Sequence, residues 1–516
     1  MDRRSETEPA GGSSKARFTM SRWRLVAAAA IVAAFAFQGS RGLWDPDEGR
    51  YTLTAMEMLR QGDFLVPHLH HELPHLSKPP LTYWLIAASI RLAGWNEWAV
   101  RLPDALAFAV AILLLYRLGR RLVPAAAWLP AAIYGTSLLP FLAANVVTTD
   151  TLLTLWETLA VTAFVESWWC REPRRRRALA DLMWLSWGLA LLTKGPPGLL
   201  PLAAVLAFAV MVEGRAGLRR LLPLEGIALF LVVGLSWYAV LIARQPELLS
   251  YFLGYELAGR LFSGVHHRNP EWYGPFKVYL PALLLGSLPW TPLLLRASGQ
   301  QPAGRRAKWW TPDFWRRLTQ HDHPTLLLLL WLLVPLGVFC VARSRLPFYV
   351  LPLLAPIALL LARRLEPRSP QAHRRWFRFA WAWLVALMML KAGLAQVAWK
   401  NDARVLASAL REQVPDTVDE VVFAETWPRL GLGFYLGSEV EVVTFYDADP
   451  HPMARSATGT LAEELAGEPG EKRLFVVERP DDAAFERVLK DLGYSFRRRG
   501  GWHDLEFYTV PTEKAS

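Results

Sequence analysis

The sequence predicts an all-helical polytopic membrane protein that carries a small α/β domain at its C-terminal end. Three observations predict it. Apolar runs of about 17–22 residues recur along the chain, the length a helix needs to cross the hydrocarbon core of a bilayer. Basic clusters follow alternate runs, as cytoplasmic loops do. Beyond residue 398 these runs stop, and short β-rich strings alternate with amphipathic helical patterns.

Of the 516 residues, 53% are hydrophobic and 24 are Trp, which suits a chain largely embedded in lipid. Residues 1–22 are polar and basic and are expected to be disordered and cytoplasmic. The apolar run that follows, Leu25 to Phe37, lacks a small-x-small cleavage site and reads as an uncleaved anchor. A membrane domain is expected over 23–398, with eleven spans near 24–40, 99–116, 124–141, 151–169, 179–193, 198–212, 224–243, 277–295, 325–342, 347–362 and 378–397. With the N-terminus inside, the clusters Arg117/Arg120/Arg121, Arg171 to Arg177, Arg215 to Arg220, Arg305 to Arg317 and Arg363 to Arg375 all fall in the cytoplasm. The net charge of +11 is therefore topological, and nucleic acid is not an expected partner. Cys170 and Cys340 lie at the edges of separate spans and offer neither a disulfide framework nor a metal-ligand spacing.

The loops on the other side are different. Residues 41–98 and 244–276 are long, acidic and hold six of the eleven His. An odd span count also places 399–516 there, as a periplasmic α/β domain with helical patterns at 403–412, 458–467 and 481–491 and strand strings VDEVVF, EVEVVTF, RLFVVE and HDLEFYTV. The segment 79–94 is apolar but short for a span, and it is expected to lie along the outer leaflet with Tyr83 and Trp84 at headgroup level. Its companion, 49–62, places Tyr51, Ala55, Met58 and Leu59 on one face and Arg50, Thr54, Glu57 and Gln61 on the other. Together these two helices would form a ledge for a lipid-linked substrate.

Candidate chemistry gathers on that same side. Asp45, Asp47 and Glu48 directly follow the first span. They suit a carboxylate acting as base or orienting an acceptor, and equally a helix start with Asp47 as cap and Glu48 favouring the dipole. Lys78 precedes a helix start, where its charge opposes the dipole, so an anion, either a carrier's phosphate or membrane phosphate generally, is its expected partner. Asp150 is a membrane-edge acid, a type that faces a cavity or a partner, and Lys194 sits in a Gly/Pro turn between spans. Arg343, Arg345 and Tyr349 stand at an outer edge, where two arginines run against the topological bias and suggest an anionic ligand. Arg268 lies beside His266 and His267, the candidate pair for a divalent metal, though adjacent His seldom converge on one ion without further ligands.

D-E-G-R-Y (47–51), K-P-P-L-x-Y-W (78–84), NEWAVRLPDAL (96–106), TD (149–150), LTKGPPGLLP (192–201) and SRLPFYVLPLLAP (344–356) stand together in one order. In that order and spacing they resemble the GT-C glycosyltransferases, above all the aminoarabinose transferases of lipid A and relatives of the protein O-mannosyltransferases. The resemblance covers residues 20–360. It implies transfer of a sugar from a polyprenyl-phosphate donor to a lipid, glycan or protein acceptor at the bacterial inner membrane, on its periplasmic side. It further implies Asp47 as the essential carboxylate, Lys78 on the carrier phosphate, Asp150 as the acid after the third span, and Tyr349 as the aromatic of the L-P-x-Y motif. Glu48, Arg50, Tyr51, Tyr83, Lys194, Arg268, Arg343 and Arg345 complete the expected binding set. Ser77 stands where the aminoarabinose transferases usually show a Glu that can hold a metal with a loop His, and those enzymes are usually assigned 13 spans. A flippase, the rival from another class, would carry ionisable residues mid-span and internal repeats, and neither is read from this sequence. A non-catalytic assembly protein would use the C-terminal domain as its binding module.

Overall fold

The computed structural model describes residues 12–70, 73–263, 268–293, 311–366, 369–397, 399–414, 417–445, 459–466 and 472–511. Each expected span overlaps helix among the described residues. The first, α1 (Gly12–Phe35), begins inside the segment expected to be disordered; residues 1–11 lie outside the described residues. After it come α2 (Asp47–Gln61), a two-stranded ribbon β1 (His68–His70) and β2 (Leu73–Pro74), and α3 (Leu81–Ala93). The bundle continues through α4 (Glu97–Leu122), α5 (Trp128–Thr136), α6 (Leu138–Ala143), α7 (Thr149–Trp168), α8 (Pro173–Lys194) and α9 (Leu200–Leu221). Helices over Leu224–Arg244, Gly274–Gly286, His323–Val341, Pro347–Leu365 and Pro370–Leu394 complete it. Six helices among the described residues are long and apolar enough to cross a membrane by themselves: Glu97–Leu122, Pro196–Leu221, Leu224–Arg244, His323–Val341, Pro347–Leu365 and Pro370–Leu394. The protein is a multi-pass membrane protein.

Local sequence explains several of the boundaries. Asn96 caps α4 by accepting from the Ala99 N–H at 2.9 Å, and Thr148 caps α7 through the Asp150 N–H. Gly62 ends α2 at φ 71°, which a residue without Cβ adopts readily. The expected span at 124–141 is broken into a 3₁₀ turn (Pro124–Ala126), α5 and α6, with Ser137 extended between the last two.

The C-terminal segment forms a six-stranded mixed sheet in the order β5-β4-β3-β6-β8-β7, built from β3 (Glu420–Ala424), β4 (Glu439–Thr444), β5 (Gly459–Thr460), β6 (Arg473–Glu478), β7 (Arg497–Trp502) and β8 (Leu505–Thr509). Strands β5, β4, β3 and β6 run parallel, while β8 and β7 are antiparallel additions. All five residues of the central β3 are buried, as expected of a parallel strand covered on both faces. One apolar cluster (Leu406, Leu410, Val421, Phe423, Val476, Phe507) lies on one side and another (Val422, Phe475, Phe485, Leu489, Tyr508) on the other.

Two expectations about the ledge are corrected. The surface helix expected at 49–62 is buried on both faces: Thr54 is 0% exposed and Glu57 6%. It lies beneath the C-terminal domain, with Leu53 packed into that domain's apolar cluster. Tyr83 is likewise 0% exposed and packs against Tyr51, with ring centroids 5.7 Å apart, instead of sitting at headgroup level. A lid of protein replaces the solvent that the amphipathic pattern implied.

Candidate functional site

The first turn of α2 divides its acids. Pro46 is the N-cap residue and makes no side-chain cap bond, so Asp47 does not cap the helix. It turns outward, 44% exposed, and pairs with Arg50 at 2.5 Å. Glu48 is fully buried. Its carboxylate accepts from Arg101 Nε (2.7 Å) and Nη2 (2.9 Å), from Arg41 (2.6 Å), and from the backbone N–H groups of Trp44 (2.8 Å) and Val147 (3.2 Å). Burial pushes this carboxyl up, but Arg101 and Arg41 more than offset it and hold it at about 2. Glu48, expected to bind substrate, is instead the hub that fixes the loop after α1 onto α4.

Around Asp47 the structure brings together most of the expected set. Arg50 lies over the Tyr51 ring (5.5 Å), and its Nε is buried with no acceptor among the described residues. Tyr51 and Tyr83 form the floor. Asp150 pairs with Lys194, whose Nζ sits 4.4 Å from the Tyr349 ring centre, and Arg268 donates to the Tyr349 hydroxyl at 3.2 Å. Lys78 is half-buried beside this group. Burial, and then the charges of Arg260, Arg268 and Arg50, pull its ammonium well below the usual lysine range, with Glu256 offsetting part of that. Arg260, Arg268 and Arg50 thus stand close enough to Lys78 to act on its charge, a clustering of basic groups that favours a multiply charged anion.

Two expected ligands are placed elsewhere. The Arg345 guanidinium donates to the carbonyls of Asn269 (2.8 Å), Glu271 (2.8 Å) and Cys340 (3.1 Å) and is 3% exposed. It fastens the loop that carries Arg268, and its buried Nε has no acceptor among the described residues. Arg343 is exposed, and its backbone N–H donates to the Arg260 carbonyl at 3.1 Å. His266 and His267 lie outside the described residues. The donors that are described around Ser77 do not suit a divalent metal. Ser77 Oγ is engaged with His75 Nε2 at 2.9 Å, and Arg50 and Lys78 place positive charge against that ring.

Sequence reasoning missed Arg260, Glu256, His75 and Arg101. Arg260 and Glu256 sit in a π-helical turn (Tyr251–Ala258) and the helix after it, where a lone acid and base four residues apart resemble an ordinary surface pair (2.5 Å). Arg101 was visible inside NEWAVRLPDAL, but its burial was not. Ionisable residues within helices, not read from the sequence, are also present: Asp104 in α4 and Glu157 in α7 are 2% and 3% exposed. Mid-helix charge therefore does not separate a transferase from a flippase here. Asp104 accepts from the Thr148 N–H at 3.0 Å, holding the turn that carries Asp150.

The C-terminal domain closes over this region. Asp45 accepts from the Gly431 N–H (3.0 Å), Asp402 from the Gly42 N–H (3.1 Å), and Glu97 receives Arg404 (2.5 Å) and the Tyr435 hydroxyl (2.8 Å).

A family model described as dolichyl-phosphate-mannose-protein mannosyltransferase matches residues 77–239. The chain is 32% identical over 366 residues to the undecaprenyl phosphate-alpha-4-amino-4-deoxy-L-arabinose arabinosyl transferase of Pectobacterium carotovorum, a match covering 69% of this chain and 62% of the relative. The chain therefore spans about three fifths of that relative's length. In three dimensions it is similar to ArnT from Cupriavidus metallidurans in the apo state (TM-score 0.76, 18% identity, 96% of this chain and 98% of that one). It is also similar to the same protein bound to undecaprenyl phosphate (TM-score 0.71, 19% identity, 94% and 97%).

Proposed function

We propose that this chain is a GT-C-fold glycosyltransferase that takes its sugar from a polyprenyl phosphate and transfers it to an envelope acceptor. The observation that carries the reading is the clustering of Arg50, Arg260 and Arg268 around Lys78, with Asp47 paired to Arg50. Transfer breaks the bond between the anomeric carbon and the phosphate oxygen, and the electron pair leaves with the phosphate. The charge that develops there is met by cations already held in place, the commonest way an enzyme lowers such a barrier. Lys78 and Arg268 act on the phosphate; Tyr349, between Arg268 and Lys194, fixes their spacing.

The acceptor oxygen forms the new bond at the same carbon from the opposite side. For a hydroxyl acceptor, Asp47 takes the proton; for a lipid phosphate, already a nucleophile, Asp47 positions it. The relatives' names point to 4-amino-4-deoxy-L-arabinose on undecaprenyl phosphate as donor, and lipid A is the matching acceptor. The basic clusters at the far ends of the helices support a periplasmic site, a cytoplasmic N-terminus and an inner-membrane location.

The test is direct. Purified protein is mixed with the synthetic undecaprenyl-phosphate aminosugar and a lipid A acceptor, and products are read by mass spectrometry. Appearance of one aminosugar mass on lipid A supports the reading. No transfer from any polyprenyl-phosphate sugar to lipid, glycan or protein would remove it.

A further inference from the structure

At the end of the bundle away from Asp47 and Lys78, the ends of α4 and α7 meet the start of the helix His323–Val341 around a cavity of about 530 Å³. Arg121, Arg171, His321 and His323 line it, with Trp169 and Gln320 beside them. Basic residues from three separate segments therefore line one concave volume. We propose that this cavity binds the headgroup phosphate of an anionic phospholipid in the leaflet opposite the catalytic site.

The charge balance supports an anion. Glu166, the nearby carboxylate, is shared by Arg117 at 3.3 Å and Arg121 at 3.2 Å, so it cannot neutralise both. Asp322, between the two histidines, is engaged by Arg363 at 2.9 Å and also caps the following helix. Arg171 adds a further positive charge to a lining already in excess. Loop arginines on this face follow from topology alone, but topology does not require them to surround a cavity. Basic pockets between membrane helices are a recurring solution for anionic headgroups, where a guanidinium meets phosphate oxygens in pairs.

Depth favours a lipid over a soluble phosphate. The cavity sits at helix ends, and the 26 residues of α4 span roughly 39 Å, about the full thickness of a bilayer with its headgroups. Trp169 is 37% exposed at the rim, where an indole with one wet and one apolar side anchors at the headgroup level. The site is separate from sugar transfer and does not depend on it.

The experiment uses the full-length protein, delipidated in detergent, and native mass spectrometry with dioleoyl phosphatidylglycerol, dioleoyl phosphatidylcholine or glycerol 1-phosphate. Phosphatidylglycerol should half-saturate at a concentration at least about ten-fold below phosphatidylcholine, and Arg171→Ala should weaken it by roughly five-fold, the effect of one surface-facing charge. Arg171→Ala with His321→Ala should reduce it further. Arg171 follows the helix end in an exposed turn, so the single variant tests the site without threatening the fold. Equal retention of the two lipids, or unchanged binding by both variants, would overturn the proposal. Displacement of the lipid by glycerol 1-phosphate would also overturn it, since the site would then serve a soluble phosphate.

Discussion

Arg101 holds both oxygens of Glu48, at 2.7 and 2.9 Å, and both side chains are almost wholly removed from solvent. The pair joins α4 to the first turn of α2, one residue from the proposed catalytic acid. Removing one partner of such a pair leaves an uncompensated buried charge, at a cost of about 3–5 kcal/mol. Glu48→Ala should therefore lower the unfolding temperature and folded yield sharply, as read by thermal unfolding in detergent. A variant with normal stability that lacked only turnover would return Glu48 to the substrate-binding set.

The same pair sets a pH limit. The Glu48 carboxyl is held at about 2, below its ordinary 4.5, so its contribution is complete above 4.5 and is lost as pH falls from there towards 2. Acid unfolding should show a component in that window which Glu48→Gln removes.

Asp47 should behave in the opposite manner. It is neither the N-cap nor buried, so Asp47→Asn leaves the fold intact apart from its pair with Arg50. Transfer should fall by about 10²–10⁴-fold, the scale of losing a positioned acid–base group. Retained turnover would exclude Asp47 from the chemistry.

Lys78→Ala should lower turnover at saturating donor by about 10²-fold or more, because its contact with the leaving phosphate strengthens in the transition state. Lys78→Arg should recover part of that by keeping the charge. If Ala and wild type share one turnover number, the phosphate role fails.

Asp45 and Gly431 make a separable prediction about the C-terminal domain. Burial raises the Asp45 carboxyl to about 7, with the Gly431 N–H and Arg429 only partly offsetting it. An acid raised on folding contributes fully below its ordinary 3.8, and that contribution is lost as pH rises through 7. Amide exchange across 425–433 should accelerate beyond the intrinsic rate as pH rises from about 4 to about 7 and level off above that, and Asp45→Asn should suppress that extra opening. Gly49 leaves no room for a Cβ between the Asp45 carboxylate and the Gly431 backbone, so Gly49→Ala should undock the domain.

Arg345→Lys should destabilise more than it impairs binding. A lysine cannot reach the Asn269, Glu271 and Cys340 carbonyls at once. An unchanged melting temperature with a weakened donor affinity would reverse that assignment.

Much of this protein is legible in one dimension. Apolar run length and alternating basic loops set the helices of the bundle, since a bilayer demands about twenty apolar residues wherever the chain crosses. Periodicity located β3, β4, β6 and β8; β7, with its RRRGGW composition, and the two-residue β5, inside a segment read as helix, escaped it, as did the short ribbon of β1 and β2. The motif string from Asp47 to Tyr349 named most of the groups around the candidate site. Other features were settled by packing between residues far apart in sequence. Asp47 and Glu48 are adjacent and chemically alike, yet α2 points one outward and the other into Arg101, 53 positions away. The polar face of α2 implied water until the C-terminal domain covered it. Arg345, expected to meet a ligand, is spent on backbone carbonyls, while Arg260, which the sequence did not single out, pairs with Glu256 beside Lys78, because a guanidinium takes whichever acceptors surround it. Sequence fixes which groups are available and at what depth; burial and partner choice decide which charges are structural and which remain free to act.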